Sequence, residues 1–149
     1  MEKTLISIAM FTILLFSSSA SAKISDDNVV LGGLVPRTDI STAISVYGEP
    51  DKVEHQRYYW GNGFTIISNN LNEISIIETT ADNGISTPPG LHVGSTVNEM
   101  YLAYGKPDNA SLEISGNGYE YYYEGDWNIL ILVAENNIIK KISACKYIR

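Results

Sequence analysis

Ten tyrosines and two tryptophans are the side chains of this 149-residue chain best suited to touching another molecule. They bunch in two places: Tyr58, Tyr59 and Trp60, then Tyr119, Tyr121, Tyr122, Tyr123 and Trp127. Rings with a polar tip are enriched at protein interfaces, because they bring apolar area and keep a hydrogen-bonding group. The same rings can stack on sugars. Other chemistry-bearing residues are scattered. His55, beside Glu54, and His92, just before an expected helix, stand alone and in no zinc-chelating spacing. Asp51 and Asp108 follow prolines and read as turn residues. There is no G-x-S-x-G elbow and no glycine-rich phosphate loop. No catalytic residue, no metal site and no cofactor is therefore expected. The one cysteine, Cys145, rules out an internal disulfide, and its apolar surroundings read as a small buried hydrophobe.

Strands must position these rings. Alternate side chains of a strand share a face, so Tyr119, Tyr121 and Tyr123 stand together and Glu120, Tyr122 and Glu124 stand opposite. Either the three tyrosines pack inward under a helix, or they form an open aromatic ladder. Aromatics are also ordinary strand formers, so core packing competes with binding for all of them. The candidate binding residues are Tyr58, Trp60, Tyr119, Tyr121, Tyr123 and Trp127.

The elements follow from an internal repeat. Residues 33–51 (GLVPRTDISTAISVYGEPD) align without a gap on residues 90–108 (GLHVGSTVNEMYLAYGKPD). Each copy predicts a short helix. Asp39 caps the first; Thr96 and Glu99 form a capping box for the second. Apolar residues follow at helical spacing: Ile40, Ala43, Ile44 and Tyr47, then Val97, Met100, Tyr101 and Tyr104. Gly48 and Gly105 end the helices, and Pro50 and Pro107 prevent their continuation. Strands are expected over 52–60, 64–68 and 73–79, then 110–114, 119–124, 128–134 and 138–144. Glycine-asparagine clusters at 61–63 and 116–118 and asparagine pairs at 69–70 and 136–137 read as turns. The expected fold class is α+β: two tandem repeats, each a short helix and a three- to four-stranded antiparallel meander, forming one curved sheet with helices on one face.

The run from Leu91 through Gly94, Thr96 and Glu99 to Tyr104-Gly105-Lys106-Pro107 resembles a motif of a known superfamily. That superfamily comprises β-lactamase inhibitory protein and the outer-membrane assembly lipoproteins of the SmpA/OmlA type. Leu34 to Pro50 is a looser copy, with Arg37 where the motif has glycine. The resemblance implies a non-enzymatic protein that presents a concave sheet to a protein partner. The chain departs from it in lacking both a lipidated cysteine and the cysteines for disulfides.

Residues 1–22 read as a signal peptide: Lys3, an apolar run from Leu5 to Phe16, then Ala20-Ser21-Ala22. The run is too short to span a bilayer, so no membrane span is expected after cleavage. The expected divisions are a mature N-terminal segment (23–32), repeat 1 (33–81), a linker (82–89) and repeat 2 (90–149). Localisation is expected to be periplasmic or extracellular. The net charge of −7 opposes nucleic-acid binding. The functional expectation is an exported protein-binding module whose partner is another exported or envelope protein. The alternative is a small-ligand or cell-envelope glycan binder that stacks Tyr58, Trp60, Tyr122 and Trp127 on sugars.

Overall fold

The computed structural model describes residues 23–114 and 116–147. The expected signal peptide, residues 1–22, lies outside the described residues. Among the described residues no helix is long and apolar enough to cross a membrane.

Local sequence signals place two helices. α1, Ile40–Tyr47, starts at Asp39, whose carboxylate accepts a hydrogen bond from the Ser41 amide at 2.8 Å. α2, Val97–Tyr104, starts at a complete capping box. The Thr96 hydroxyl accepts from the Glu99 amide at 3.2 Å, and the Glu99 carboxylate accepts from the Thr96 amide at 2.7 Å. Each helix ends at a glycine of positive φ, Gly48 at 79° and Gly105 at 74°, whose amide closes the last turn.

The strands are β1 (Lys52–Glu54), β2 (Arg57–Tyr59), β3 (Phe64–Ser68), β4 (Ile74–Thr79), β5 (Asn109–Leu112), β6 (Tyr119–Glu124), β7 (Asn128–Glu135) and β8 (Ile138–Lys146). They form one antiparallel sheet in the order β1-β2-β3-β4-β8-β7-β6-β5. The expected strand over 52–60 is instead a hairpin. His55 and Gln56 both take positive φ, 46° and 65°, and turn the chain tightly between β1 and β2. No Asn-Gly pair announces that turn, and His55 sits in it rather than on a strand.

The expected fold class is corrected. An α+β arrangement of helix-plus-meander repeats does not organise the molecule; a single eight-stranded sheet does, with only two eight-residue α-helices among the described residues. The physical reason lies at the midline. Ile76, Ile77, Glu78 and Thr79 of β4 pair with Cys145, Ala144, Ser143 and Ile142 of β8. One core cluster gathers Leu34, Ile66 and Ile77 with Met100, Leu130 and Ile142. A few short strands under one helix bury too little to stand alone, so the cooperative unit is the whole sheet.

Both helices lie on one face. Tyr47 of α1 stands 4.9 Å from Phe64 of β3, and Tyr104 of α2 stands 5.3 Å from Tyr123 of β6, ring centre to ring centre. The pairing register carries Phe64 through Thr79, Ile142 and Leu132 to Tyr121, so these residues share that face. The opposite face carries the row Arg57, Ile67, Ile76, Cys145, Ile129 and Glu124. Neither helix reaches it.

Candidate functional site

The three tyrosines of β6 share the helix-covered face but differ steeply in exposure. Tyr123 is 1 % exposed and Tyr119 is 52 % exposed, with Tyr121 half-buried between them. The gradient exists because β6 starts at the tip of the β5–β6 hairpin and runs in under α2. Tyr123 is a core residue. Its hydroxyl donates to the Gly105 carbonyl at 2.9 Å and fastens the end of α2 to the sheet. Burial pushes its phenol well above the ordinary tyrosine range. It offers no surface to a partner. Tyr121 meets Tyr101 of α2 edge-on at 6.2 Å and lies 6.4 Å from Tyr119. Its phenol is raised too, first by burial and then by those neighbouring rings.

Tyr119 and Tyr121 line a groove of about 380 Å³ with Val97 at the start of α2, Leu112 of β5, and Asn136 and Asn137 of the β7–β8 turn. Leu112 is the cross-strand partner of Tyr119 and is 65 % exposed. Gly118 also lines the groove. A Cβ there would stand 2.5 Å from the Ala134 carbonyl oxygen, so only glycine lets the hairpin sit this close to β7. Exposed apolar area concentrates at this end. Of nine large exposed hydrophobic residues among the described ones, Tyr101, Leu102, Leu112, Ile114 and Tyr119 all belong to α2, β5, β6 or the loop joining β5 to β6.

The other candidate residues are elsewhere. Tyr58 and Trp60 stack at 6.3 Å and pack with Tyr47 and Phe64 around the end of α1, where the Trp60 indole donates to the Gly48 carbonyl at 2.9 Å. Four strands separate β2 from β6, which at the usual strand spacing is about 24 Å. Tyr122 lies on the opposite face, its hydroxyl donating to Glu120. That bond, more than burial, raises its pKa. Trp127 is 63 % exposed in the β6–β7 turn. There the Arg37 guanidinium lies 5.8 Å from its ring centre, and the Asp26 carboxylate accepts from the Trp127 and Asn128 amides at 3.2 and 3.1 Å. The stacking set Tyr58, Trp60, Tyr122 and Trp127 is thus dispersed over three separate places.

Sequence reasoning missed Leu112, Ile114 and Leu102, and it placed Tyr101 on the buried stripe of α2, although Tyr101 is 42 % exposed. An apolar residue on a short edge strand was the available signal. Cys145 sits partly exposed on the helix-free face rather than in the core. Burial, with Glu78 nearby, pushes its thiol up to about 12. Among the described residues no group of three or more His, Cys, Asp and Glu side chains is placed to hold a metal.

No family model matches the chain, and no curated protein sequence matches it. Among solved structures, the chain resembles the crystal structure of a DUF4309 family protein (YjgB) from Bacillus subtilis subsp. subtilis str. 168. The TM-score is 0.54 at 15 % identity, over 77 % of this chain and 83 % of that one. At that identity the likeness concerns the fold alone.

Proposed function

We propose that the protein is an exported, non-enzymatic binding module that captures another exported or envelope protein through the groove at the β5–β6 end of the sheet. The observation carrying this reading is the concentration of exposed apolar side chains around Tyr119, Tyr121 and Leu112. Exposed apolar side chains gathered at a groove mark interaction sites, and rings held by their neighbours lose little entropy when they bind. The resemblance of the helix-start motifs to β-lactamase inhibitory protein and the assembly lipoproteins supports a protein partner, and residues 1–22 support export. Inhibition of a β-lactamase does not carry over.

The alternative is a glycan. The groove sets two phenol rings beside the amides of Asn136 and Asn137, a pairing of stacking surface with neutral hydrogen-bonding groups that suits sugars. The test uses a Tyr119→Ala/Leu112→Ala variant. Both residues are exposed, so the fold survives, as thermal melting would check. Capture of a specific envelope protein from the host by the unaltered protein, lost in the variant, supports the reading. Capture unaffected by the variant moves the site elsewhere. Amide shifts at Asn136 and Asn137 on titration with cell-wall fragments, without protein capture, favour the glycan.

A further inference from the structure

We propose that the helix-free face of the sheet binds a second copy of this chain, face to face, about a two-fold axis running parallel to the strands. The first observation is compositional. An antiparallel sheet with one wet face alternates apolar and polar residues, whereas a strand covered on both sides is apolar throughout. β7 reads Ile129-Leu130-Ile131-Leu132-Val133-Ala134 without interruption. Leu130 and Leu132 face the helices and are fully buried. Ile129 and Ile131 point the other way and are only partly buried, as are Ile67 and Ile76 on β3 and β4. On the open face the row Ile67, Ile76, Cys145 and Ile129 is apolar throughout, and the next row sets Ile131 beside Thr65, Glu78 and Ser143.

The second observation is the distribution of charge on that face. At the β1–β2 end, Lys52 and Arg57 surround one carboxylate, Glu54, which Lys52 contacts at 2.7 Å. In the middle, β4 and β8 carry one charge of each sign, Glu78 opposite Ser143 and Lys141 opposite Val133. At the β6 end stand Glu120 and Glu124, with no cation facing them from β5, whose outward residues there are Asn109 and Ser111. The face therefore runs from a cationic end to an anionic end, with the apolar row of Ile67, Ile76, Cys145 and Ile129 between. A two-fold axis along the strands at the β4–β8 midline lays the β1–β2 end of each copy over the β5–β6 end of the other. Arg57 then meets Glu124, which shares its cross-strand row, twice, once at each end, and Ile67, Ile76, Cys145 and Ile129 of the four central strands meet in between. A two-fold across the strands would instead set like ends together. The self-complementarity is what selects a second copy over an unrelated partner.

The area suffices. Eight strands at the usual spacing and about five residues of common strand length give a face of about 600 Å², hence about 1,200 Å² buried in total, the lower edge of a stable interface. Two sheets stacked about 10 Å apart in this way make a sandwich. This face is distinct from the groove of Tyr119 and Tyr121, which opens on the helix side, so either proposal can fail without the other.

The test is sedimentation equilibrium of the purified protein with charge-reversed variants. The unaltered protein should dimerise with a midpoint on the order of micromolar and weaken several-fold when salt is raised from about 0.05 to about 0.5 M. Arg57→Glu alone and Glu124→Lys alone should each weaken the dimer at least tenfold. An equimolar mixture of the two should restore it, because every end-to-end contact is then again between opposite charges. Ile131→Lys should give a monomer with an unchanged far-ultraviolet spectrum. If that variant unfolds, the exposed charge pair still decides the matter. A protein that stays monomeric to about millimolar, a dimer indifferent to Arg57→Glu and Ile131→Lys, or a mixture that does not re-associate overturns the proposal.

Discussion

Arg37 holds a backbone conformation that suits glycine, and its side chain accounts for why it can. Its φ is 78°, in the left-handed region that costs a residue with a Cβ about 1–2 kcal/mol. Against that strain, the guanidinium donates to the Trp127 and Tyr147 carbonyls, at 3.3 Å each, and lies over the Trp127 ring. Two long charge-assisted bonds at about 1 kcal/mol each and an exposed cation–π contact at about 0.5 kcal/mol total about 2.5 kcal/mol. Arg37→Ala loses all of this and keeps the strain, so it should destabilise by about 2.5 kcal/mol. Arg37→Gly recovers about 1 kcal/mol of strain, net of its larger chain entropy in the unfolded state, and should cost about 1.5 kcal/mol. At about 4 °C per kcal/mol for a domain of this size, the melting temperature should fall by about 10 °C for alanine and about 6 °C for glycine. Urea unfolding followed by tryptophan emission is a second reading, since Trp127 reports directly on the lost contact. Glycine at least as stable as arginine would refute the role given to the side chain. Alanine no worse than glycine would refute the strain.

Tyr123→Phe removes one hydrogen bond to the Gly105 carbonyl and should cost about 1 kcal/mol, while Tyr123→Ala opens a cavity in the core and should cost about 3–5 kcal/mol; a Tyr123→Ala protein with unchanged melting would return Tyr123 to the surface. Gly118→Ala forces a Cβ against the Ala134 carbonyl and should destabilise by about 1–3 kcal/mol and shift the Tyr119 and Tyr121 ring resonances, whereas an unaltered spectrum would contradict the close packing. Acid should weaken the fold. The carboxyl of Glu73 is held below its usual range by Lys146 and then Asn69, that of Glu99 by the Thr96 amide and hydroxyl, and that of Asp39 by Ser41. Carboxyls lowered in the folded state stabilise it above their unfolded values near 4, and that stability is lost as the pH falls through the folded values. The urea midpoint should therefore drop below about pH 4, and by less in Glu73→Gln; a flat profile would count against all three. Alkali acts through the opposite sign. The Cys145 thiol, raised from 9.0 to about 12 by burial, stabilises the fold below pH 9.0 and loses that contribution as the pH climbs toward 12. Cys145→Ala should flatten the profile over that window, and an unchanged slope would show that the thiol does not titrate there.

Signals confined to a few neighbouring residues were legible in the chain. Asp39, Thr96 and Glu99 start helices, and Gly48 and Gly105 stop them, because caps depend only on backbone groups within one turn. The strands from 64 to 79 and 119 to 146 were readable from their apolar runs, and the turn at Asn136 and Asn137 from residue types that tolerate positive φ. The turn at His55 and Gln56 was not readable, since tertiary pairing of β1 on β2 imposes a conformation those residues do not favour. The alternation of β6 determined that Tyr119, Tyr121 and Tyr123 share a face. Only the tertiary structure decided which way that face points and how far α2 reaches along it, and so made Tyr123 core and Tyr119 surface. It also decided that Tyr58 and Trp60 stand four strands from the other tyrosines, and that the halves join through β4 and β8. Strand order and helix coverage depend on contacts between residues distant in sequence, and a period of two or of 3.6 carries no record of which strand will be the neighbour.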